Sequence, residues 1–194
     1  MKMKKICDPF TYYSGGATLA AGLVAMAVMV AVARMTGQTF RGVISIGLGD
    51  LPLWRLALQR LAGWAVLSAV LYGAAAWFSA SRVRVIDVAG NQALALVPFA
   101  VLLLLGLIPG VGIPEDLAEQ LKQGVADPAL LQPTAGMLFF GIVSVFVLVW
   151  FFAWSWRGFS VAANLRGAKA VGIYVCAFLV AEVVAGFCTA ALLP

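Results

Sequence analysis

The chain has 194 residues, 63% hydrophobic and 11% charged, with a net charge of +5 and a mean hydropathy of +1.02. One soluble core of this length could not bury so much apolar surface, so lipid must be the solvent for much of it. There is no histidine, Cys7, Cys176 and Cys188 lack ligand spacing, and the basic residues cluster at the ends of apolar runs; this argues against zinc, haem, iron–sulfur chemistry and nucleic acid.

Five apolar runs approach the roughly 20 residues that a helix needs to cross a bilayer. They predict an all-α membrane protein, a compact bundle of about five transmembrane helices in one domain over 1–194, with spans at 17–35, 61–80, 93–112, 136–156 and 170–193. Lysines precede the first run, and Ala31-Val32-Ala33 resembles a cleavage site. The run is nevertheless longer than a signal-peptide core, Asp8 lies ahead of it and Arg34 would follow the cut, so an uncleaved span is expected. Cys7 is read as a plain juxtamembrane thiol, although S-acylation is conceivable there.

Residues 36–59 are mixed, with Gly37, Gly42, Gly47 and Gly49 breaking regularity. Asp50-Leu51-Pro52 then supplies an N-cap and an early-turn proline, so a helix starts there and runs through Arg60 into the second span. Trp64 and Trp77 are expected near opposite interfaces. Ala65, Ala69 and Gly73 recur at four-residue spacing and predict a small-residue face for another helix, with Leu71 pointing outward.

Arg82, Arg84 and Asp87 precede the third run; they suit an anionic headgroup, a cytoplasmic partner or a solvated helix boundary. Pro98 and Pro109 interrupt that run. It is either a kinked helix beginning near Asn91 or, if confined to 98–108, a re-entrant segment. The polar stretch 110–133 carries Glu115, Asp116, Glu119 and Asp127 against Lys122, and 114–122 reads as a short surface helix with Leu117 and Leu121 on one side. The fourth span ends in an aromatic belt of Trp150, Phe151, Phe152, Trp154 and Trp156, with Arg157 at the water boundary. A basic connection with Asn164, Arg166 and Lys169 leads to the last span, in which Cys176 and Cys188 are expected to pack as small hydrophobes.

Basic residues near span ends favour a cytoplasmic N-terminus, with the acidic loop outside. Arg34, Arg41, Arg55 and Arg60 oppose that assignment, and Arg34 and Arg60 are expected to snorkel to the headgroups.

Three segments resemble the Yip1-domain family of membrane proteins. They are Asp8-Pro9-Phe10 before the first span, Asp87-Val88-Ala89-Gly90-Asn91-Gln92-Ala93 leading to Val97-Pro98-Phe99, and the connection from Trp156 through Ala163-Asn164-Leu165 to Lys169. The resemblance implies a bundle of about five spans with a cytoplasmic N-terminus, acting as a membrane organiser or adaptor of bacterial type. The Asp-Leu-Tyr-Gly-Pro type motif of eukaryotic members is missing, so a Rab-GTPase partnership is not carried over.

Glu182 is the charge placed deepest in a span, where it costs at least about 2.5–3.5 kcal/mol. With Gly186 and Ala190 it is expected on an inward face. It is read either as a structural, protonated carboxyl hydrogen-bonded to a neighbour such as Ser68, Tyr72 or Ser144, the favoured reading, or as a proton or cation site. The glycines form no GxGxxG or Walker pattern, and Ser79 and Ser81 have no histidine to activate them, so neither an enzyme nor a cofactor is expected. Membrane lipids, other membrane proteins or a second copy are the expected partners. The function that follows is a scaffold or adaptor; the alternative is a small proton- or cation-coupled transporter or channel using Glu182.

Overall fold

The computed structural model describes residues 9–13, 15–124 and 132–192. After a short 3-10 turn at Pro9–Thr11 come α1 (Gly16–Thr36), β1 (Gln38–Phe40), β2 (Ile46–Leu48), α2 (Leu53–Phe78), α3 (Val85–Ala95), α4 (Val97–Leu105), α5 (Glu115–Lys122), α6 (Ala135–Ala163) and α7 (Gly167–Ala190). Helices α1, α2, the α3–α4 pair, α6 and α7 are long and apolar enough to cross a membrane. The protein is an all-α bundle and a multi-pass membrane protein.

Burial separates the centre of the bundle from its lipid-facing rim. The most apolar window of α3–α4 is 67% buried inside the protein and that of α6 only 11%, so α3–α4 forms the axis and α6 lies largely against lipid. Helix α3 packs on α1, α2 and α6, while α2 lies along α7. Side chains cross-link two of these contacts. Gln92 Nε2 donates to Ser155 O (3.1 Å), Ser155 Oγ donates to Gln92 Oε1 (2.5 Å) and Asn91 Nδ2 donates to Gly158 O (3.0 Å), all buried. Trp64 Nε1 donates to Ala89 O (3.0 Å), tying α2 to α3.

Several boundaries differ from the sequence expectation. The third span begins at Val85, well before 93, breaks at Leu96 and resumes with Pro98 in the first turn of α4. A proline lacks an N–H, which costs nothing at a helix start. Pro109 lies beyond the helix, in the turns that follow Leu105. Helix α2 is capped by Pro52 without a side-chain bond, whereas Asp50 pairs with Lys122 (3.1 Å). Helix α6 continues past Arg157 to Ala163, because Asn164 adopts the left-handed conformation that closes it (φ 52°).

The aromatic belt is in part an interior cluster. Phe151 is fully buried among Phe99, Phe152 and Phe178. Cys176 and Cys188 are free and exposed on α7 rather than packed inside. In α5, Leu117 is buried and Leu121 exposed. Cys7, Asp8 and Asp127 lie outside the described residues.

The glycine-rich segment after α1 was expected only to be irregular. It forms a two-stranded antiparallel hairpin, pairing Gln38 with Leu48, Thr39 with Gly47 and Phe40 with Ile46. Gly37 ends α1 in the left-handed conformation (φ 62°, ψ 37°), donating its N–H to Ala33 O, and turns the chain back.

Candidate functional site

The hairpin tip is packed inside the bundle. Thr39, Phe40 and Val43 are buried, and a Cβ at Gly63 would stand 2.7 Å from Gly42 O. Gly63 is ten residues into α2, about 15 Å along its axis. The tip therefore packs inside the bundle, against the interior of α2. Non-helical backbone buried there must have its polar groups satisfied by protein.

Three side chains do this. Glu182 Oε2 accepts from the backbone N–H of Val43 (2.8 Å) and of Ile44 (3.3 Å), and its Oε1 accepts from Ser45 Oγ (2.6 Å). Arg60 Nη1 donates to Val43 O (3.1 Å), and its guanidinium lies 5.3 Å from the centre of the Phe40 ring, within cation–π range. Gln59 Oε1 accepts from Phe40 N (3.2 Å).

Val43 thus gives its N–H to the acid and its carbonyl to the base. The two charges also attract through space, without a direct ion pair between them. Three donors converging on one carboxyl group suit an acceptor-only carboxylate, and charge-assisted bonds of this kind are the stronger ones. A loop whose amides cradle an anion is a familiar arrangement; in this protein the anion comes from the same chain.

Glycine at 42 suits the close approach. A Cβ there would fall 2.5 Å from Glu182 Oε1, whereas one at Gly186 would make an ordinary contact 3.5 Å from Arg41 O. Gly186 packs on the loop, as expected of a small residue beside Glu182. The fully buried row of α7 is Ala181, Ala185 and Thr189, with Glu182 half-buried beside it and Ala190 exposed.

The other expected positions fare differently. Ser68, Tyr72 and Ser144 do not bind Glu182: Ser68 is buried with its Oγ unpaired among the described residues, Tyr72 packs on the core, and Ser144 Oγ donates to Phe140 O (2.8 Å) in its own helix. Ser144 instead borders an apolar groove of about 530 Å³ between the hairpin, α4 and α6. Ala65, Ala69 and Gly73 are exposed, with nothing within 4 Å of a Cβ at Gly73, and the inward face of α2 carries Leu67, Ser68, Leu71 and Ala75. The small-residue contact is therefore absent among the described residues, and Leu71 points inward. Arg60 is 2% exposed and does not snorkel.

Arg82, Arg84, Arg166 and Lys169 are exposed, and Asp87 is half-buried with Oδ1 3.4 Å from where a Cβ at Gly15 would be. Lys122, outside the spans, is held above its ordinary pKa by hydrogen bonds to Glu119 and then Asp50, the second of which fastens α5 to the base of the hairpin.

Sequence reasoning missed Val43, Ile44, Ser45 and Gln59, and misplaced Arg60. The available signal was Arg60, an arginine inside an apolar helix. No group of three or more metal-ligating side chains occurs among the described residues. Comparison of the chain with protein-family models, with curated proteins and with solved structures gave no match.

Proposed function

We propose that the protein is a membrane scaffold or adaptor of the kind that the resemblance to the Yip1-domain family implies, working by binding other membrane components rather than by chemistry. One observation carries this reading: both oxygens of the acid deepest in the membrane are committed to the backbone and Ser45 of the chain's own hairpin. A carboxylate occupied in this way braces a fixed surface and is poorly placed to pick up and release an ion. In this proposal the N-terminus faces the cytoplasm of a bacterial inner membrane, and α5 faces outside.

In-membrane crosslinking followed by affinity capture of the full chain tests it. The same protein partner recovered in replicate captures supports the reading; capture of no partner, together with ion flux by the purified protein, overturns it. One observation favours a transport reading. Arg60 Nε and Nη2 are buried without partners among the described residues, and such atoms call for water or a passing anion.

A further inference from the structure

At the end of the bundle opposite the hairpin, α2 and α7 border an apolar groove of about 540 Å³. Its walls are Val70, Ala74 and Phe78 of α2, spaced four apart on one helix face, and Cys176 and Val180 of α7, with Lys169 at the mouth. Gly172 forms part of the floor, and a Cβ there would have nothing within 4 Å. From Lys169 to Val180 the groove follows eleven residues of α7, about 16 Å, which is close to one leaflet of a hydrocarbon core of roughly 30 Å. It thus has the length of one acyl chain lying along the bilayer normal.

The charge at its mouth says which lipid. Helix α7 begins with Arg166 at its N-cap and Lys169 in its first turn, with no acid in that turn and no side-chain cap. Basic residues at a helix N-terminus oppose the macrodipole, so positive potential accumulates there. Neither residue has a hydrogen-bond or ion-pair partner among the described residues. Arg82 and Arg84, shortly after Phe78, add exposed positive charge at the same end.

We infer that this groove is a binding site for an anionic phospholipid, with one acyl chain between α2 and α7 and the phosphate on Lys169 and the start of α7. The inference does not depend on the scaffold reading.

The test is lipid retention by the full-length protein, exchanged into equimolar phosphatidylglycerol and phosphatidylcholine with identical acyl chains and examined by native mass spectrometry. Phosphatidylglycerol is retained over phosphatidylcholine by about five-fold, the scale set by one basic residue at a membrane surface. Lys169→Gln brings the ratio close to one. Gly172→Leu lowers retention of both lipids by filling the groove, and Arg55→Gln, at the hairpin end, leaves the ratio unchanged. Equal retention by the unaltered protein, or a preference that survives Lys169→Gln, overturns the site.

A second measurement needs no variant. In vesicles, phosphatidylglycerol slows alkylation of Cys176 by N-ethylmaleimide relative to phosphatidylcholine and leaves Cys188, outside the groove, unaffected. Equal slowing at both thiols also overturns it.

Discussion

Replacing Glu182 measures how much the hairpin depends on it. Charge-assisted hydrogen bonds contribute about 1.5–3 kcal/mol and neutral ones about 0.5–1.5. Glu182→Gln keeps an acceptor for the Val43 and Ile44 amides but removes the charge, and the Ser45 hydroxyl can turn to accept from the new amide. The loss is about 1 kcal/mol per amide bond, roughly 2 kcal/mol in total. Glu182→Ala strands both amides, each at about 1–3 kcal/mol, so roughly 4 kcal/mol is expected. Equilibrium unfolding of the purified protein in mixed micelles, followed by circular dichroism, gives both values. The order wild type, Gln, Ala is the prediction. Two nearly neutral variants, or a Gln variant as damaged as Ala, would refute the cradle as a source of stability.

Other consequences follow from the same geometry. Gly63→Ala places its Cβ 2.7 Å from the Gly42 carbonyl and should destabilise by about 1–3 kcal/mol, whereas Gly73→Ala meets nothing and should be neutral or stabilising by up to about 1 kcal/mol in the same unfolding assay. Because the Lys122 pKa is raised from an ordinary 10.5, its tie to Asp50 and Glu119 is fully present below that pH and is lost as pH rises through the elevated value; hydrogen exchange at Gly37–Gly49 should therefore deviate from the intrinsic base-catalysed rate only at strongly alkaline pH. Glu119→Cys should react with an impermeant maleimide added outside intact cells, and labelling from the cytoplasmic side alone would reverse the proposed orientation.

The helical spans were legible because hydropathy and length alone specify them, down to the break near Pro98. Their ends were less so. Arg157 looked like a boundary because charge usually marks water, yet α6 continues for six more residues. The small-residue stripe Ala65, Ala69 and Gly73 misled because such spacing reports what could approach a helix, not what does. The importance of Glu182 could be read from its depth, but its partners could not: they lie 137–139 residues earlier, in a hairpin too short to give a strand signal. Arg60 was assigned to the headgroups by a rule for helix ends, and the hairpin that brings Val43 to it was not visible in the sequence.

The most direct test of a structural role for Glu182 is proton and cation flux in proteoliposomes containing the wild-type protein or Glu182→Gln. With Glu182 committed to the hairpin, both should match protein-free liposomes. Robust flux through the wild type that disappears in Glu182→Gln would contradict the account and make Glu182 a transport site.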